Sequence, residues 1–175
     1  MGVNCLIFSG NTEMYHFKTK NAGTYRIATQ LRSNGFTVQV VDICGHKKFD
    51  KVYQAILKKF VDKDTYWIGF STNFMMHILG FPWVHSKSEI DYIRKNINSN
   101  IESEISKFVE YSLTLNSDVK FLIGGVRLYD FGHLNFYQFR GHTDNEIVDF
   151  TKKLSLKENP TKKIVLLEKS AFLDI

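Results

Sequence analysis

Five short clusters of small, polar and titratable residues recur along the chain, four of them directly after apolar runs. They are Ser9-Gly10-Asn11, Cys44-Gly45-His46, Ser71-Thr72-Asn73, Gly124-Gly125-Val126-Arg127 and Arg140-Gly141-His142. Glycine at such places lets a flat ligand or a phosphate approach the backbone, so the chemistry indicated is binding rather than bond-making. No catalytic residue is assigned. A histidine without a fixed partner says little about acid–base work. His16 reads as a solvated loop residue and His77 and His85 as packing or surface groups, while His46, His133 and His142 fall near the clusters. Met75-Met76 with Phe74 and Trp83 reads equally as the lining of an apolar pocket or as packing under a long loop.

Several chemistries are disfavoured by missing motifs. There is no GxGxxG after the first apolar run, no GxxxxGK[ST] and no GxSxG, which lowers nicotinamide binding, nucleotide hydrolysis and serine-hydrolase chemistry. The two cysteines show no metal-ligand spacing, so no metal residue is assigned. Cys5 reads as a small buried hydrophobe and Cys44 as a loop residue facing a ligand, with no disulfide expected between them.

The elements that position these clusters follow from periodicity. Val3–Phe8 reads as a buried strand and Ser9–Asn21 as a long loop, which marks a functional segment. Ala22–Asn34 reads as a helix with Tyr25, Ala28, Leu31 and Ile27 inward and Gly35 as its cap, followed by a strand over Thr37–Asp42. A second helix is expected over Phe49–Val61, where Val52, Ile56 and Phe60 repeat every four residues with lysines between them, then a strand over Tyr66–Ser71 and a loop over Thr72–His85. Lys87–Leu115 carries isoleucines at helical spacing, with a break expected at Asn96–Asn100. A strand over Val119–Ile123, a loop over Val126–Leu134 and a strand over Asn135–Phe139 follow. A helix ending near Leu154 has Asp144 and Glu146 near its first turn, and a final strand is expected over Lys162–Glu168. This alternation predicts an α/β fold: one doubly wound, Rossmann- or flavodoxin-like domain over 1–175, with a mostly parallel sheet in a three-layer αβα arrangement. Ligands of such sheets bind at the carboxyl ends of the strands, where the clusters lie.

Bulk properties fit that class. The 175 residues are 43% hydrophobic and 23% charged, enough to bury roughly 70% of the unfolded surface. The net charge of +5 comes from scattered lysines, so a nucleic-acid arm is not indicated. Without a signal peptide or an 18-residue apolar run, no membrane partner is expected and a cytoplasmic location follows by default.

In order and spacing these pieces resemble the cobalamin-binding N-terminal domain of radical-SAM enzymes, over about residues 3 to 155. The resemblance is carried by Gly23-Thr24-Tyr25-Arg26-Ile27-Ala28, then Leu31-Arg32 with Gly35-Phe36, Val38 and Val40-Val41-Asp42. It continues through Ile68-Gly69-Phe70-Ser71, Phe121-Leu122-Ile123-Gly124-Gly125 and Gly141-His142-Thr143-Asp144-Asn145-Glu146. The family places a corrin over the strand ends with its nucleotide tail between sheet and helices. The resemblance therefore implies a cofactor site at Ser9, Gly10, Asn11, Cys44, Ser71, Thr72, Asn73, Gly124, Gly125, Arg127, Gly141 and His142. Three departures stand out. The fold's DxHxxG motif, aligned on Gly23, has Lys18 and Lys20 at its Asp and His positions, so the lower cobalt ligand is absent. Ser71-x-Asn73 only partly matches the family's SxL, and no CxxxCxxC is present. A 4Fe-4S cluster and S-adenosylmethionine would then belong to a radical-SAM catalytic domain, in cis or in trans. The expectations are an N-terminal piece of a longer enzyme, of the methyl-transferring kind, or a free-standing binding module. A flavodoxin-like interaction module without a cofactor is the alternative.

Overall fold

In the computed structural model, residues 2–10, 12–14, 17–19, 22–43, 48–71, 74, 104–125, 136–140, 144–158 and 160 are described. Strand β1 (Cys5–Gly10) is buried throughout, as a central parallel strand must be when helices cover both faces. After it come a two-stranded antiparallel hairpin, β2 (Thr12–Met14) and β3 (Phe17–Thr19), helix α1 (Ala22–Ser33) and strand β4 (Val38–Ile43). Helix α2 (Lys51–Phe60), strand β5 (Trp67–Ser71), helix α3 (residues 104–115) and strand β6 (Lys120–Gly125) follow. Strand β7 (Phe136–Arg140) and helix α4 (Asp144–Ser155) complete the described fold.

The five long strands pair in the order β4-β1-β5-β6-β7, every neighbour parallel. In chain order this is 2-1-3-4-5, the flavodoxin-like doubly wound arrangement, whose switch point lies between β1 and β5. Side chains alternate between the faces. Leu6, Phe8, Ile68, Phe70, Phe121 and Ile123 join one core with Tyr53 and Leu57 of α2 and Ile105 and Phe108 of α3. Cys5, Ile7, Trp67 and Leu122 join the other with Ala28 and Leu31 of α1 and Ile147 and Phe150 of α4. The three-layer αβα expectation is met.

Local details refine the sequence reading. Asp50 caps α2 by accepting the Val52 and Tyr53 N–H groups, so that helix starts two residues later than expected. Its fully buried residues are Tyr53 and Leu57; of the four-residue repeat, Ile56 and Phe60 are half-buried against the same core and Val52 is 43% exposed. Gly35 takes the left-handed conformation (φ 86°) expected at a helix C-terminus, with its N–H on the Arg32 carbonyl. The hairpin lies within the segment read as loop. Its three-residue strands are too short to show a period. The helical pattern before residue 104 and the last expected strand lie outside the described residues.

Candidate functional site

On the α1/α4 face, the last inward positions of three strands are small. β1 runs Cys5, Ile7, Ser9; β5 runs Trp67, Gly69, Ser71; β6 places Gly124 after Leu122. On the α2/α3 face the same strands stay large through Phe8, Phe70 and Ile123. A helix packed against the large residues therefore stands off the small ones. The result is a cavity of about 100 Å³ between the strand ends and α1/α4. Gly69, Ser71, Gly124 and Gly125 form its sheet side, and Gly23, Thr24 and Ile27 of α1 with Ile147 of α4 its helix side. Ile7, Leu122 and Phe139 make its deeper part apolar.

The walls are fixed by hydrogen bonds. A Cβ on Gly69 would lie 2.8 Å from the Trp67 ring, so only glycine there lets the indole lie against the strand. The indole Nε1–H donates to Thr151 Oγ1 at 2.9 Å, and that hydroxyl donates to the Ile147 carbonyl at 2.7 Å, tying β5 to α4. Burial pushes the Cys5 thiol well above its ordinary range, so this residue is an inert packing group. The Ser9 hydroxyl donates to Thr24 Oγ1 at 3.4 Å, both residues being buried, which sets the first turn of α1 against the end of β1. Ser71 Oγ accepts the Phe74 N–H at 3.1 Å. At the mouth, Arg26 of α1 grips Asp144 of α4 side-on, Nε to Oδ2 at 2.7 Å and Nη2 to Oδ1 at 3.1 Å. Beside α1, the Tyr25 hydroxyl donates to Asp42 Oδ2, which raises the Tyr25 pKa, while Asp42 Oδ1 is buried without a hydrogen-bond partner.

Of the residues singled out from sequence, Ser9, Gly10, Ser71, Gly124 and Gly125 come together at one end of the sheet. Ser9 and Gly10 are the last rungs of β1, opposite Asp42 and Ile43, and Ser71 lies opposite Gly124. Ser71 ends its strand as expected, while Ser9, Gly10, Gly124 and Gly125 are strand residues too, because the ladders of β1 and β6 run two positions further than the apolar runs. Asn11, Cys44, Thr72, Asn73, Arg127, Gly141 and His142 lie outside the described residues. The sequence reading did not single out Thr24, Arg26, Gly69 or Asp144 as site residues. The period-two change from large to small residues along β1, β5 and β6 was the available signal. Among the described residues no three His, Cys, Asp or Glu side chains group as a metal site, and no helix is long and apolar enough to cross a membrane.

Comparison with models of known protein families, with curated proteins and with solved structures finds no match.

Proposed function

We propose that this domain binds a cobalamin-type corrinoid at the carboxyl edge of its sheet, as part of or partner to a radical-SAM enzyme. The observation that carries the reading is the cavity beneath the strand ends. It lies where the resemblance puts a nucleotide tail, between the sheet and two helices. The residues present fit such a group. The interior is mostly apolar, and the sheet side at Gly124 is open, since an added Cβ would meet only the Phe139 carbonyl at 3.6 Å. Above it, the ends of β5 and β6 offer small residues over which a macrocycle can lie flat.

Ser71, Gly124 and Gly125 would hold the corrin edge, and α1 and α4 the tail. When bound, the corrinoid would supply carriage of a methyl group. The chain's own contribution is positioning. The Ser9–Thr24 and Trp67–Thr151 bonds keep both cavity walls in place before any ligand arrives, which lowers the ordering cost of binding. Burial of Ile7, Leu122 and Ile147 under the site keeps water from its lower part.

The test is retention of hydroxocobalamin. The protein is incubated with it, desalted and read by visible absorbance, beside Gly124→Leu and, from the opposite wall, Ile27→Trp, each checked for wild-type circular dichroism. Corrin bands in the wild type, lost in both variants, are the expected result. A colourless wild type overturns the reading and gives first place to the cofactor-free interaction module.

A further inference from the structure

Resting on that reading for the place of the ligand, we propose that Arg26 selects ligands carrying a phosphate next to the group that enters the cavity. Asp144 occupies the guanidinium until the phosphate displaces it. Three observations lead there. First, among the described residues of the lining, Arg26 and Asp144 are the charged groups, the others being apolar, glycine or hydroxyl residues. Second, their side-on geometry is a two-point match between a planar guanidinium and a pair of oxygens, which a phosphodiester reproduces equally well. Third, the two side chains are 47% and 20% exposed, and an ion pair that open to water holds weakly. A ligand anchored by its ring in the apolar part would present its phosphate to Arg26 at high effective concentration, and a weak internal partner yields to it.

The pair also joins α1 to α4 across the mouth. Exchange of Asp144 for phosphate would uncouple the two helices there, so the mouth widens as the ligand enters. The role assigned to Asp144 is to compete with the phosphate for Arg26. Its removal is therefore expected to strengthen phosphate binding.

The experiment measures equilibrium binding of two matched pairs: cobalamin against cobinamide, which lacks the nucleotide tail and its phosphate, and FMN against riboflavin. The proteins are wild type, Arg26→Gln, Arg26→Lys, Asp144→Asn and, as a charge control on the exposed side of the same helix turn, Glu146→Gln. Arg26→Gln is expected to weaken the phosphate-bearing member of the bound pair about tenfold or more while leaving its partner unchanged. Arg26→Lys is expected to fall between, and Asp144→Asn to tighten binding several-fold where Glu146→Gln does not. Equal losses for both members of a pair, or no loss in Arg26→Gln, overturn the assignment. Binding of FMN over riboflavin through Arg26, without cobalamin binding, overturns the corrinoid reading and leaves the role of Arg26 standing. Binding of no probe by the wild type overturns both.

Discussion

Gly124 and Gly125 are adjacent in sequence but are glycine for different reasons, and their alanine variants should move stability in opposite directions. Gly125 sits at φ 136°, a backbone region that an L side chain rarely adopts, whereas Gly124 has no such φ. An alanine at 125 therefore carries strain of about 1–3 kcal/mol. At 124 the new Cβ makes an ordinary contact, 3.6 Å from the Phe139 carbonyl, and points to the open cavity. The folded state there loses nothing, and the unfolded chain loses freedom, so Gly124→Ala should be neutral or stabilising by up to about 1 kcal/mol. The two variants should differ by about 1–4 kcal/mol on this reasoning. Urea titrations followed by circular dichroism would show it as a separation of midpoints at constant slope. For a domain of this size each kcal/mol corresponds to about 2–4 °C in Tm, so melting points should separate by at least about 2 °C and by up to about 16 °C. Midpoints that coincide, or an order with Gly124→Ala the less stable, would refute the distinction. With it would go the claim that the space beside Gly124 is open.

Thr151→Val keeps shape but leaves the buried Trp67 Nε1–H without its acceptor, and should cost about 1–3 kcal/mol in urea unfolding; a change under 0.5 kcal/mol would mean the bond is absent. Gly69→Ala would bring a methyl to 2.8 Å from the indole, so the ring must move, and near-ultraviolet circular dichroism should change along with a drop in stability. At Glu104, burial opposes ionisation, but the Lys107 ammonium and the Phe49 N–H outweigh it and hold the carboxyl below its usual range. A depressed pKa gives stability above the unfolded value that is lost in acid. The gap between wild type and Glu104→Gln should therefore be full at neutral pH and shrink as pH falls below 4.5, and a gap that widens in acid would contradict this.

How much could be read from sequence depended on which property each segment used. The parallel sheet was legible because strands buried on both faces are apolar at nearly every position, as in β1 and β6. The C-terminal turn of α1 was legible because Gly35 has a local conformational reason. The hairpin was not, since Thr12–Met14 and Phe17–Thr19 are too short and mixed to show alternation. The inward face of α2 was legible in part: Ile56 and Phe60 pack half-buried against the core, but Tyr53 and Leu57, at the same spacing, are the fully buried pair. Only the packing against Phe8 and Phe108 decides between them. The rim glycines were legible one by one. The Arg26–Asp144 pair was not, because its partners are 118 positions apart and meet only when α1 and α4 share one face.

The division of labour between the two faces gives the cavity its meaning. On the α2/α3 face, Phe8 packs against Tyr53, Phe70, Phe74 and Phe108 with ring centroids 5.3–6.0 Å apart, a dense aromatic core. Such interiors normally leave few voids larger than a water molecule. On the other face of the same strands, Gly69, Ser71 and Gly124 leave about 100 Å³ open. That space opens to the outside at its mouth, and its walls forgo the packing contacts that the other face makes. Gly124 shows that the space is not forced by backbone geometry, since a larger residue there would meet no clash at its Cβ. A chain that packs one face this tightly and leaves fillable space on the other, at its switch point and beside a charged pair, has the features of a binding site. Occupancy by a ligand would recover the forgone packing, so a ligand that enters the cavity should raise Tm, and the Gly124→Leu variant should not respond to it.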